Sequence, residues 1–192
     1  MLSRSIDFKD PKSWEFSGFS QNGEDGIINI LIQKLIKNNN YFIEIGSADG
    51  LQNNTSWLLI TNNFQGLMVE GNKSLRDVAR RHIIPYGIGT IYKNIFIELD
   101  NVDEIKKNST YLDPDLFSVD IDGNDYHIVK KLFEIGFRPK VFVVEYNSSY
   151  GPTKSITIKY RSKFTSKNHH PSELYFGVSV NAWKKLFTKH GY

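Results

Sequence analysis

Two acidic strand ends, and the turn that follows the first of them, carry the chemistry of this chain. Tyr41-Phe-Ile-Glu-Ile-Gly-Ser-Ala-Asp-Gly50 is an apolar strand bearing Glu44 that breaks into a turn of small residues. Gly66-Leu-Met-Val-Glu70-Gly71 is a second apolar strand ending in an acid. A tight strand-to-helix turn presents backbone amides to a ligand, and a carboxylate on the neighbouring strand end accepts ribose hydroxyls. The pair predicts a nucleoside site. A dinucleotide site needs G-x-G-x-x-G, whose middle glycine lets the backbone approach a pyrophosphate. Here Ala48 stands in that place, and Asp49 faces the position of any phosphate. A carboxylate repels a pyrophosphate and attracts a cation, so S-adenosylmethionine, with its sulfonium and ammonium groups, fits better than NAD. The bland alternative is an ordinary β-turn-helix connection without a ligand.

Two further strand ends add acids. Asp120-Ile-Asp-Gly-Asn-Asp125 and Glu145-Tyr-Asn147 follow apolar runs, and ligands of open α/β sheets bind beyond the carboxyl ends of the strands. Period two in a strand sends Asp120 and Asp122 to one face. Asp122, Glu145 and Asn147 offer hard oxygen atoms that suit Mg²⁺. Against this stands the reading that they bond only helix N-termini and cofactor. His127, in the first turn of the next helix, has the ordinary pKa range of a base that removes a hydroxyl proton; a purely structural histidine is the competing reading. His169 and His170 are further candidates, in the segment expected to cover the substrate, with solvent exposure as the competing reading.

The elements that must position these residues follow from the apolar pattern. Residues 1–20 read as an extended lead-in. Asn22-Gly-Glu-Asp25 opens a helix with Ile27, Ile28, Leu31 and Leu35 on a 3.6-residue repeat, ended by Asn38-Asn-Asn40. Strands are expected at 41–45, 67–70, 116–121 and 141–145, with one or two more between Ile83 and Ile97. Helices are expected at 55–62, 74–81, 101–107, 125–135, where Asp125 acts as cap, and 178–189. Val141 to Glu145 is a continuous apolar run of the kind a parallel sheet buries on both faces. Repeated strand-helix units of this size predict a doubly wound α/β sheet in a single domain spanning 1–192. Residues 147–175 carry little helix signal, although Ser155 to Tyr160 alternates as a strand. So long a segment after a central strand reads as a substrate-covering loop.

Composition narrows the class. The chain has 192 residues, 40% of them apolar, and no cysteine, so it can build one sizeable core but no disulfide or thiolate metal site. No apolar run reaches the roughly 20 residues of a membrane span, and the first residues lack the apolar stretch of a secretory signal. A cytoplasmic enzyme is expected. Charge is uneven: up to Tyr150 there are 16 Lys and Arg against 20 Asp and Glu, and from Gly151 onward 8 against the single Glu173. That basic lobe reads either as a solvated face or as a surface that recruits an anionic substrate.

Ser20-Gln-Asn-Gly-Glu-Asp-Gly-Ile27, Phe42 to Gly50, Phe117-Ser-Val-Asp-Ile-Asp-Gly-Asn-Asp-Tyr126, Val143-Val-Glu-Tyr-Asn147 and Gly151-Pro152 resemble the blocks of FkbM-type methyltransferases. The resemblance covers about residues 17–192. It implies a Rossmann-like, mostly parallel methyltransferase sheet and an S-adenosylmethionine-dependent O-methyltransferase acting on a hydroxyl of a sugar, a polysaccharide precursor or another anionic small molecule. By that resemblance Glu44, Gly46 and Asp49 hold the methionine moiety, Glu70 the ribose, and Asp120 or Asp122 the sulfonium side, with Ser47 a further cofactor contact. Gln21 closes over the cofactor, and Asp122, His127 and Glu145 are the catalytic candidates. Family domains continue after a helix ending in G-Y into two more strands. This sheet is therefore expected to lack the last two, leaving strand five as an edge through which two copies could pair. The rival readings are an inactive S-adenosylmethionine-binding protein and, less favoured, a nucleic-acid methyltransferase using the basic lobe.

Overall fold

A computed structural model describes residues 5–165 and 174–192. Five strands, β1 (Tyr41–Ile45), β2 (Gln65–Glu70), β3 (Ile91–Asn94), β4 (Leu116–Val119) and β5 (Val141–Val144), form one sheet in the order β3-β2-β1-β4-β5. All neighbouring pairs are parallel. Strand order therefore reverses between β1 and β4, which opens a crevice at their carboxyl ends.

Alternation in β1 sorts the core into two layers. Tyr41, Ile43 and Ile45 pack with Phe117 and Val119 against Ile128, Leu132, Phe133, Trp183 and Leu186. Those partners come from α5 (Asp125–Glu134) and α6 (Val180–Lys189), on one face. Phe42 turns the other way and joins Ile28, Ile32, Leu58 and Leu59, from α1 (Glu24–Gln33) and α2 (Ser56–Thr61). Period two thus puts Glu44 on the α1/α2 face, inside an apolar layer. Two further helices complete the β-α alternation, α3 (Lys73–His82) and α4 (Asp103–Asn108). Among the described residues no helix is long and apolar enough to cross a membrane.

Several local expectations change. The stretch from Ile83 to Ile97 holds one strand, β3, after a 3-10 turn at Ile84–Tyr86. Ser155 to Tyr160 forms no strand, only an isolated antiparallel bridge between Thr157 and Val178. Helix α1 stops at Gln33, ahead of the asparagine run. β5 is half-buried along its whole length, because it stands at the end of the sheet with a strand on one side only. At the start of α5, Asn124 holds the capping position and Asp125 is the first helical residue.

Candidate functional site

A cleft of about 830 Å³ opens at the carboxyl ends of the strands, lined from β1 by Ile45, Gly46 and Ala48, from β2 by Val69 to Asn72, and from the loop after β4 by Asp120, Ile121 and Asp122. Gln21 closes one rim, Glu145 another, and Phe96 and Leu75 supply apolar wall. Gln21 reaches this place because the Asp25 carboxylate accepts the amides of Gly18, Phe19 and Ser20, wrapping the preceding loop onto the start of α1.

The floor depends on Gly46. Its φ is +85°, and a side-chain carbon there would lie 1.7 Å from the Asp120 carbonyl oxygen. Only glycine satisfies both conditions, so β1 and β4 can part without either backbone being pushed aside. Glu70 then fixes the turn. Its two carboxylate oxygens accept the amides of Ala48 at 2.9 Å and Asn72 at 2.6 Å. Each oxygen keeps lone-pair capacity for a further donor.

Across the cleft Asp120, Asp122 and Glu145 bring one oxygen each within 4.8 Å of one another. None of the three forms an ion pair among the described residues. Asp120 and Asp122 meet there for a reason other than strand alternation: β4 ends at Val119, and Asp122 takes a left-handed φ of +56°. Asp120 opens to solvent on one side but is enclosed on the others. That desolvation, with the charges of Asp125, Asp122 and Glu24, pushes its pKa up to about 7. Desolvation likewise raises Glu145 to about 8, helped by Asp120, Asp125 and Asp122. Asp125, fully buried, is raised by burial to about 6, although amides of Ile121 and Gly123 donate to its carboxylate.

Other residues singled out by sequence lie elsewhere. Glu44 does not line the cleft: its carboxylate accepts the Asn54 amide and the Thr55 hydroxyl, and complete burial lifts its pKa to about 7. Asp49 accepts the amides of Leu51 and Gln52. Ser47 is fully buried. These three shape the loop after β1 from behind the cleft wall. His127 is turned away, its Nε2 donating to the Ile158 carbonyl at 2.8 Å, beside a separate surface hollow. Asn147 spends its amide nitrogen on the carbonyls of Leu174 and Phe176 and its oxygen on the Ser149 amide. The carboxylate group is completed by Asp120 in place of Asn147. His169 and His170, and Lys167 of the basic lobe, fall outside the described residues. Sequence reasoning missed Leu75, Phe96 and Phe164 as lining residues; the exposure of Phe96 and Leu75 is visible only once the strand ends are placed.

No family model matches the chain, and no curated protein matches its sequence. Among solved structures it is similar to an O-methyltransferase from Bacillus cereus determined with SAH, at 14% identity and a TM-score of 0.51, covering 97% of this chain and 70% of that one. It is also similar to the CurJ carbon methyltransferase, at 14% identity and a TM-score of 0.55, covering 87% of this chain and 45% of that one. The chain has the Rossmann-like fold of class I S-adenosylmethionine-dependent methyltransferases.

Proposed function

We propose that this protein is an S-adenosylmethionine-dependent O-methyltransferase of the FkbM type, acting on a hydroxyl of a sugar or another anionic small molecule. The observation that carries the reading is the division of the cleft. One side has the glycine turn and Glu70 at the end of β2; the other has three carboxylates at the ends of β4 and β5 that form no ion pair among the described residues. The residues fit the cofactor: Glu70 has free lone pairs for ribose hydroxyls, Leu75 and Phe96 give an adenine ring an apolar wall, and Asp120 and Asp122 meet a cationic sulfonium and ammonium.

When bound, S-adenosylmethionine supplies an electrophilic methyl group whose carbon-sulfur bond breaks with its electron pair left on sulfur. The chain's own part is to hold the acceptor oxygen in line and to take its proton. Glu145 is the group for that step. It borders the cleft, carries a buried oxygen without a partner, and has a raised pKa that makes it a stronger base than an ordinary carboxylate. His127, bonded to Ile158, is not used.

Titration calorimetry tests the reading. S-adenosylhomocysteine binds in the micromolar range while NAD gives no heat; the reverse result removes it. A divalent cation is the other charge that Asp120, Asp122 and Glu145 can balance. Loss of methyl transfer in EDTA, restored by Mg²⁺, is the result that assigns one.

A further inference from the structure

Residues 156–165 cross the carboxyl end of the sheet as a strap seated on both sides of the cleft. At its root, the Ile156 carbonyl accepts the Ser179 amide at 2.9 Å, and the Ile156 amide donates to the Ser179 hydroxyl at 2.9 Å. On the β4 side, Asn124 makes a two-way pair with Arg161: its amide nitrogen donates to the carbonyl at 2.7 Å, and its oxygen accepts the amide at 3.3 Å. On the β3 side, the Glu98 carboxylate accepts the Ser162 hydroxyl and the Lys163 amide, both at 2.6 Å. His127 and the Tyr160 hydroxyl add bonds to Ile158 and Leu99 within the same span.

Three details show that the strap is built to place Phe164. Asn124 occupies a helix cap position, where its side chain would ordinarily bond the first amides of α5, yet it makes no such bond and holds Arg161 instead. Lys163 takes a left-handed φ of +53°, a conformation that side chains disfavour, at the residue whose amide Glu98 grips. Gly123 needs no left-handed backbone; what it provides is room, since a side-chain carbon there would lie 2.2 Å from the Phe164 ring. Phe164 is buried on that glycine and, with Thr165, lines the same cleft as Gly46, Glu70 and Asp120.

We propose that Phe164 is the specificity-determining wall of the cleft, and that Asn124 and Glu98 are positioning residues that seat it on Gly123. What the wall encloses rests on the methyltransferase reading; the seat itself does not. Phe164 and Glu145 line the same cleft, so the seated ring bounds the space in which an acceptor meets Glu145.

Trypsin reads the seat directly, because Lys159, Arg161 and Lys163 are exposed on the strap. In the full chain, Gly123→Ala and Asn124→Ala each speed cutting at these three sites by about tenfold, the scale of losing a pair of hydrogen bonds or a packed ring. Saturating S-adenosylhomocysteine slows cutting of the wild type. Phe164→Ala is already unseated, so adding Gly123→Ala changes its cutting rate little; this non-additivity is what a general loss of stability would not produce. Circular dichroism confirms that each variant is folded, and Asn124→Ala serves if Gly123→Ala is not. Wild-type cutting rates in both single variants, or effects that add in the double variant, overturn the proposal. Binding of S-adenosylhomocysteine to the wild type without protection of the strap also overturns it, while leaving the methyltransferase reading intact. No binding at all, with the seat still opened by Gly123→Ala, removes the reading and keeps the seat.

Discussion

The two ends of β4 carry the same kind of residue in opposite circumstances. At the amino end, Asp115 is fully buried and fully partnered: its carboxylate accepts the amides of Asn39 and Asn40 and pairs with Lys140 at 2.5 Å. At the carboxyl end, Asp120 faces Asp122 and Glu145, and none of the three pairs with a lysine, arginine or histidine among the described residues. One acid ties the loop before β1 to the β4 and β5 strand starts. The others hold mutual repulsion that a cationic ligand relieves. Position relative to the sheet, not residue type, separates structure from function here.

The sharpest way to break that comparison is at the amino end. Asp115→Ala leaves two amides and the Lys140 ammonium, whose side chain is mostly enclosed, without their acceptor. We expect a loss of roughly 3 kcal/mol in urea unfolding, the scale for breaking a buried, hydrogen-bonded charge pair. S-adenosylhomocysteine affinity of the folded fraction stays unchanged. A loss of affinity equal to that of a cleft variant would show that the two ends are not independent.

Glu70→Ala is the matching change at the other end. It removes the proposed acceptor for ribose and frees the amides of Ala48 and Asn72. Calorimetry is expected to show S-adenosylhomocysteine binding weakened by about 1.5–3 kcal/mol, as for hydrogen bonds to a charged acceptor. Unfolding midpoints change much less than in Asp115→Ala. If stability falls and affinity does not, Glu70 is a turn brace only.

The acids at the carboxyl end also predict how stability follows pH. Glu44 and Asp120 at about 7, Asp125 at about 6 and Glu145 at about 8 all lie above their ordinary values. The folded chain therefore holds more protons than the unfolded chain between the ordinary carboxylate range and these values. Stability from this source is complete below about pH 4 and is lost as pH rises through 6 to 8. Thermal unfolding followed from pH 5 to pH 8.5 should show the decline. Glu145→Gln, which cannot ionise, should raise the midpoint at pH 8.5 far more than at pH 5. In the wild type, methyl transfer should instead rise with pH as Glu145 deprotonates, and that limb should disappear in Glu145→Gln.

How much of this was legible in the sequence depends on what each residue faces. β1, β2, β4 and α5 were readable because apolar runs ending in acids have few other meanings in an α/β chain. Gly46, Glu70, Asp120, Asp122, Glu145 and Gln21 are brought to one cleft. Glu44 and Asp49 are not, because a carboxylate next to a turn bonds whichever amides the loop path offers, and periodicity does not show that path. Alternation could have warned of Glu44, since Ile43 and Ile45 claim the opposite face. Phe96 and Phe164 sit in stretches without a period, where only tertiary packing shows that one ring walls the cleft and the other rests on Gly123.

The smallest expected effect concerns the basic lobe, which tests whether the proposed acceptor end of the cleft is matched to charge as the proposed cofactor end is. Lys154, just ahead of the strap, and Lys159, Arg161 and Lys163 on it are exposed. Reversing Lys154 and Lys159 to glutamate avoids the backbone clamp at Arg161 to Lys163. For an anionic acceptor, two reversed exposed charges should raise KM by a few-fold at low salt, since each contributes under about 1 kcal/mol at the surface. The difference should shrink as ionic strength rises past about 0.15 M, where screening acts within roughly 8 Å. Binding of S-adenosylhomocysteine should not move. An unchanged KM for an anionic acceptor at every salt concentration would make these lysines a solvated face and leave selection of the acceptor to Phe164 alone.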